Sequence, residues 1–126
     1  MVVVMDRILV VDDDTAFLRI VSKALSLGGY TVGTATNGRE ALAQLQHGRP
    51  GVILLDLSMP VMDGRAFAQE LNQRLDAPPI ILVTAAPDGP QQAEEIGAVD
   101  CVSKPLDPMA LLGVIARARQ TLLATT

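Results

Sequence analysis

The chain is poor in the residues on which several kinds of chemistry depend. Cys101 is its one cysteine, so no internal disulfide can form, and a reducing, cytoplasmic setting fits. His47 is its one histidine. It falls late in a helical pattern with no partner His or Cys, which excludes Ser–His and Cys–His nucleophile systems and makes it a solvated surface residue. Phe17, Phe67 and Tyr30 are the only aromatics, too few for a platform on which bases could stack. Ten Lys and Arg against fourteen Asp and Glu give a formal charge of −4 with no basic cluster, which argues against direct nucleic-acid binding. The apolar opening Met1–Met5 runs at once into Asp6 and Arg7, too short for a signal-peptide core or a membrane span. No repeat, low-complexity tract or linker divides the 126 residues, which suffice for one domain with a core of Val, Leu, Ile, Ala and Met.

What is present is a regular alternation of strand-like and helix-like stretches. Arg7–Val11 is a short β-branched run that suits a buried strand. From Phe17, the positions Leu18, Val21, Leu25 and Leu27 recur at helical spacing until Gly28-Gly29 stops the helix. Tyr30–Ala35 alternates as a strand does. Asn37-Gly38 then turns the chain into a second helix, Arg39–Gln46, with Leu42 and Leu45 inward, ended by Gly48 and Pro50. Val52–Leu55 is a fully apolar strand, and a third helix extends from Gly64 to about Leu75 on the stripe of Phe67 and Leu71. Ala77-Pro78-Pro79 blocks further helix and introduces the strand Ile80–Val83, which ends at Thr84. Two prolines and a glycine make Ala85–Pro90 a loop, leaving only Gln91–Ile96 for a short fourth helix. Val99–Ser103 is the last strand. Asp107-Pro108 starts a final helix with Leu111, Leu112, Ile115 and Ala118 inward. Five strands alternating with five helices predict one α/β domain on a parallel sheet, with right-handed crossovers placing helices on both faces.

The stretch from Val52 to Gly64 organises this plan. Four apolar residues run directly into Asp56, with Pro60 and Gly64 following, so Asp56 stands where a central strand gives way to its loop. Ligands of open α/β sheets bind at that carboxyl edge. The first strand ends in Asp12-Asp13-Asp14 and Thr15. Helix capping accounts for Asp14 or Thr15, but Asp12 and Asp13 exceed what a cap requires. Thr84 and Lys104 close two further strands. Parallel strands point their ends one way, so Asp12, Asp13, Asp56, Thr84 and Lys104 are expected in one crevice. Crowded carboxylates repel unless a cation relieves them, and hard oxygen donors suit Mg²⁺, with Mn²⁺ as the expected substitute. An Asp can act as a nucleophile and form an acyl phosphate. Phosphoryl transfer then requires positive charge against the phosphoryl oxygens. A metal on Asp13, Asp56 and the Ser58 backbone carbonyl would supply part of it, Lys104 would supply an ammonium, and Thr84 could donate a hydrogen bond.

Four segments in this order carry a family resemblance: Val10-Val11-Asp12-Asp13-Asp14, Leu55–Gly64, Val83-Thr84-Ala85 and Ser103-Lys104-Pro105. Across nearly its whole length the sequence resembles the receiver domains of two-component response regulators, of the chemotaxis-regulator type. The resemblance implies a flavodoxin-like fold with a five-stranded parallel sheet in the order 2-1-3-4-5, for which the chemotaxis regulator is a standard example. It implies that Asp56 takes phosphate from the phosphohistidine of a sensor histidine kinase or phosphotransfer protein. Asp13 would touch Mg²⁺ directly and Asp12 more through water. It further implies a cis Lys104–Pro105 bond, a switch through Thr84 and the face of the last two strands and helices, an unidentified downstream protein target, and a monomer or weak dimer. No enzymatic activity is implied beyond the domain's own phosphorylation and dephosphorylation.

Three departures qualify the resemblance. Cys101 stands three positions before Lys104, where relatives usually carry an aromatic that moves with the threonine. The Thr84–Lys104 interval is about two residues shorter than expected for the family. Residues 1–126 read as one receiver domain with no effector domain after Thr126, either a single-domain regulator or a receiver cut from a larger protein. Two other classes remain open. A haloacid-dehalogenase-type phosphohydrolase shares the Asp, Lys and Mg²⁺ chemistry but usually places a second acid where Ser58 stands. A phosphorylation-independent interaction module would explain Cys101 but not the retained acids and lysine. Ala86 has no polar side chain to assist water at the acceptor, so slow self-dephosphorylation is expected.

Overall fold

A computed structural model of the protein describes residues 3–59 and 61–124 and, of these, the side chains of 7–119. Met1, Val2, Pro60 and the final two residues, and with them part of the apolar opening and of the Asp56 stretch, lie outside the described residues. Five strands, β1 (Val3–Val11), β2 (Thr31–Ala35), β3 (Arg49–Leu55), β4 (Ile80–Thr84) and β5 (Asp100–Ser103), pair in parallel in the order β2-β1-β3-β4-β5. The helices are α1 (Thr15–Leu27), α2 (Gly38–Gln44), α3 (Gly64–Asn72), α4 (Gly89–Ile96) and α5 (Pro108–Ala124). This is the flavodoxin-like order expected from the sequence.

The core lies in two layers, one on each face of the sheet. Ile8, Val10, Val52, Leu54, Ile81 and Val83 pack against Leu18, Val21 and Leu25 of α1 and Leu111 and Ile115 of α5. Leu9, Val11, Ile53, Leu55 and Leu82 pack against Ala41 of α2, Phe67 and Leu71 of α3 and Ile96 of α4. Burial on both faces is why β3 and β4 read as unbroken apolar runs. The fully buried Phe67 alone removes enough apolar area from water to stabilise the fold by about 2–3 kcal/mol.

Several element ends differ from the sequence expectation, each for a local reason. β1 and β3 begin at Val3 and Arg49 because Val3 pairs with Arg49 and Val4 with Pro50, ahead of a register shift before Ile8. The second helix ends at Gln44 and finishes in a 3₁₀ turn, Leu45–His47. α3 stops at Asn72, leaving Leu75 exposed with nothing to cover it, and Leu27 is likewise exposed at the end of α1. α4 starts at Gly89, two residues before its predicted start, because Pro90 sits in the first turn, where a missing N–H costs nothing. Ala85–Asp88, with Pro87, is the expected loop, and only Gly89 and Pro90 belong to the helix instead. The Lys104–Pro105 bond is cis.

Candidate functional site

Neighbouring strands hold the site residues at one edge of the sheet. The Asp12 N–H donates to the Ala35 carbonyl at 3.0 Å, the Asp56 N–H to Val11 at 3.0 Å, and the Lys104 N–H to Thr84 at 2.9 Å. Asp12, Asp13 and Asp56 each bring a carboxylate oxygen within 4.8 Å of the others. Asp12 is buried, Asp56 half-buried and Asp13 exposed, so the trio opens to solvent on one side. Lys104 Nζ lies 2.8 Å from Asp12 Oδ2, while Asp12 Oδ1 accepts the Asp14 N–H at 2.9 Å. Both Asp12 oxygens are therefore held in short contacts, whereas among the described residues Asp56 accepts only the long Ser58 N–H contact at 3.5 Å and keeps more of its acceptor capacity for a further ligand. Asp14 itself caps α1, accepting the Phe17 N–H at 3.1 Å.

The electrostatics of Asp56 follow from this crowding. Burial, and then the charge of Asp12 with a smaller contribution from Asp13, pushes its pKa above the ordinary aspartate value. Lys104 and the Ser58 N–H, a long 3.5 Å from Asp56 Oδ1, pull it only partly back. Three hard oxygen donors without thiolate or imidazole fit a small divalent cation such as Mg²⁺ that keeps several waters, and such an ion would offset the repulsion that raises Asp56.

The other expected residues stand in different relations to this trio. Thr84 pairs with Ser103 across β4 and β5, next to Lys104, but its hydroxyl oxygen accepts the Ala86 N–H at 3.1 Å. No hydrogen bond joins it to the carboxylates among the described residues. Ser58 is exposed. Behind Thr84 the packing is close: a Cβ on Gly89 would come within 2.9 Å of both Thr84 Cγ2 and Cys101 Sγ. Burial and the neighbouring Asp100 charge push the Cys101 thiol up, away from the reactive thiolate. Sequence reading missed one neighbour of the site. The Phe17 ring centroid lies 4.4 Å from Lys104 Nζ, although helical spacing marked Phe17 only as the start of an apolar stripe. Its signal was a rare aromatic three positions after Asp14.

Comparisons with known proteins agree with this geometry. The response regulator receiver domain family matches residues 8–116. A probable transcriptional regulator, ycf27, of Porphyridium aerugineum is 40% identical over 108 residues, which are 84% of this chain and 45% of that protein. The response regulator MprA of Mycolicibacterium vanbaalenii is 38% identical over 122 residues, 95% of this chain and 52% of that protein. This chain thus spans about half the length of these curated relatives. Among solved structures, the Vibrio cholerae chemotaxis protein CheY4 superposes with a TM-score of 0.80 at 36% identity, covering 90% of this chain and 98% of that one. A CheY-like receiver domain protein from Methanospirillum hungatei gives 0.86 at 28% identity, covering 95% and 98%. The chain belongs to the response regulator receiver domains of two-component signalling.

Proposed function

We propose that the domain is a phosphoacceptor switch in which Asp56 takes a phosphoryl group from the phosphohistidine of a sensor histidine kinase or phosphotransfer protein. One observation carries this reading. The half-buried Asp56 carboxylate sits at the end of the central strand with two carboxylates within 4.8 Å, and the Lys104 ammonium is held against one of them. An Asp56 oxygen attacks phosphorus as the P–N bond breaks, the electron pair of that bond returns to the ring nitrogen, and the imidazole leaves neutral because its other ring nitrogen already carries a proton. Asp13, Asp56 and the Ser58 carbonyl would hold Mg²⁺, with Asp12 acting through water, and the ion when bound offsets charge on the phosphoryl oxygens. Lys104 offsets the remainder from the other flank. Thr84 accepts from Ala86 and so keeps its own hydroxyl proton free to donate to a phosphoryl oxygen.

The output follows from the Thr84 contacts. A shift of Thr84 toward the phosphoryl group changes its packing on Gly89 and Cys101, at the start of α4 and on β5. Partner binding on the β4-α4-β5-α5 face changes in consequence, with Cys101 filling less space than the usual aromatic. We read the domain as cytoplasmic and as a monomer or weak dimer. Among the described residues no helix is long and apolar enough to cross a membrane. The test is intact-mass spectrometry after treatment with acetyl phosphate, with and without Mg²⁺. A single Mg²⁺-dependent adduct lost in Asp56→Asn supports the switch, whereas labelling of Asp56→Asn at the parent level removes Asp56 from this role. Steady turnover of a phosphate ester would favour the hydrolase class instead.

A further inference from the structure

The acidic loop, the start of α1 and the end of β5 close into a ring of contacts. Asp12 accepts the Asp14 N–H, Asp14 accepts the Phe17 N–H, the Phe17 ring faces the Lys104 ammonium, and Lys104 returns to Asp12. Three links are hydrogen bonds or ion pairs of a usual kind. The fourth, a ring centroid 4.4 Å from Nζ, gives the lysine a second anchor that attracts the ammonium over the ring face without fixing any one N–H direction.

A lysine needs such an anchor if it is to serve a phosphoryl group. Its four-carbon stem carries considerable rotamer freedom, and at rest its charge is committed to a buried carboxylate. To meet a phosphoryl oxygen the ammonium must pivot about Asp12 without escaping to solvent. A quadrupole tolerates that pivot, since its attraction varies little as the ammonium slides across the ring face. Phe17 can hold its place because the Asp14 cap fixes its backbone and its ring forms one wall of an apolar cavity of about 210 Å³ with Ile20, Pro105 and Leu106.

We infer that Phe17 is a positioning residue for Lys104, holding the ammonium at the acceptor site through its ring face. For the reaction itself this rests on the phosphoacceptor reading above. Phe17→Leu keeps the apolar contact and removes the ring, whereas Phe17→Trp restores a ring that the adjoining cavity has room for. The chain has two lysines, so the exposed Lys23 provides an internal reference.

In proton NMR of the full chain, the Lys104 ε-methylene signals are expected upfield of those of Lys23. They should move to the Lys23 position in Phe17→Leu and return upfield in Phe17→Trp. With acetyl phosphate and saturating Mg²⁺, Phe17→Leu is expected to label Asp56 about fivefold more slowly, at unchanged Mg²⁺ affinity, and Phe17→Trp to recover most of that loss. Coincident Lys104 and Lys23 signals in the parent protein overturn the inference. So does labelling of Phe17→Leu at the parent rate, or a Phe17→Trp protein as slow as Phe17→Leu. If the parent does not label yet shows the shifted Lys104 signals, the phosphoacceptor reading fails and the placement of Lys104 by Phe17 stands.

Discussion

Lys104 and Asp12, 92 residues apart in the chain, form an ion pair of 2.8 Å across the carboxyl edge of the sheet. β3 and β4 lie between their strands, so the lysine leans back along the edge that carries Asp56. The Asp12 side chain is 2% exposed and that of Lys104 24%. A carboxylate this deep depends on its partners, and here they are one ammonium and one backbone N–H.

Lys104→Met therefore leaves Asp12 buried with half its compensation. Because Lys104 is itself partly exposed, the loss is smaller than for a fully buried pair, and about 2 kcal/mol is expected at pH 7. Urea unfolding of Lys104→Met, Asp12→Asn and the double variant checks it. The double variant is expected to be less destabilised than the two single losses added, and strict additivity would mean that the pair does not interact in solution.

Asp56→Asn is expected to be more stable than the parent at neutral pH without Mg²⁺, raising Tm by a few degrees. The sign follows from the raised pKa, whose first cause is burial and second the Asp12 charge. Between the unfolded and folded pKa values the native state binds more protons than the unfolded chain, so stability falls as pH rises through that window. Below the unfolded value both states are protonated, and the gain from Asn disappears. Thermal melts from pH 3 to pH 8 would show the two curves converging at the acid end. A gain that persists at pH 3 would point to a cause other than charge. Mg²⁺ should narrow the gap at pH 7 by stabilising the parent preferentially.

The architecture was legible because burial on both faces leaves an unmistakable trace. Val52–Leu55 and Ile80–Val83 could be placed from composition alone, and the polar residue after each strand marked the edge where the carboxylates gather. Ends of elements were less legible, because Leu27 and Leu75 are apolar residues that the fold leaves uncovered and Pro90 is a helix-breaking type in a position that tolerates it. The contact of Phe17 with Lys104 was hidden for a different reason. It joins the start of α1 to the end of β5, and helical periodicity describes one element at a time.

Val61, one residue beyond the Asp56 loop's proline, has φ +67°, a left-handed conformation that a β-branched side chain adopts only under strain. The residue is 73% exposed, so little packing opposes a change. Val61→Asn is expected to stabilise the protein by about 1 kcal/mol, since Asn tolerates this region. The gain would appear as a higher urea midpoint with an unchanged slope. A loss of stability would show that the Val61 side chain makes a contact that outweighs the strain.

Gly64 begins α3 beneath the site, its N–H donating to the Leu57 carbonyl at 2.9 Å. A Cβ there would collide with the Asp56 carbonyl oxygen and come within 2.6 Å of Leu57 Cα, backbone atoms that cannot rotate away. Gly64→Ala must therefore push α3 outward or shift the Asp56–Leu57 segment, at a cost of about 2–3 kcal/mol. Stability and chemistry separate if labelling is measured well below the melting temperature, where the variant stays folded. If the strain is relieved through Asp56, labelling by acetyl phosphate falls tenfold or more, on the order of what a small misplacement of a reacting group costs. If α3 moves instead, the folded variant labels at nearly the parent rate, and the loss is confined to its unfolding curve.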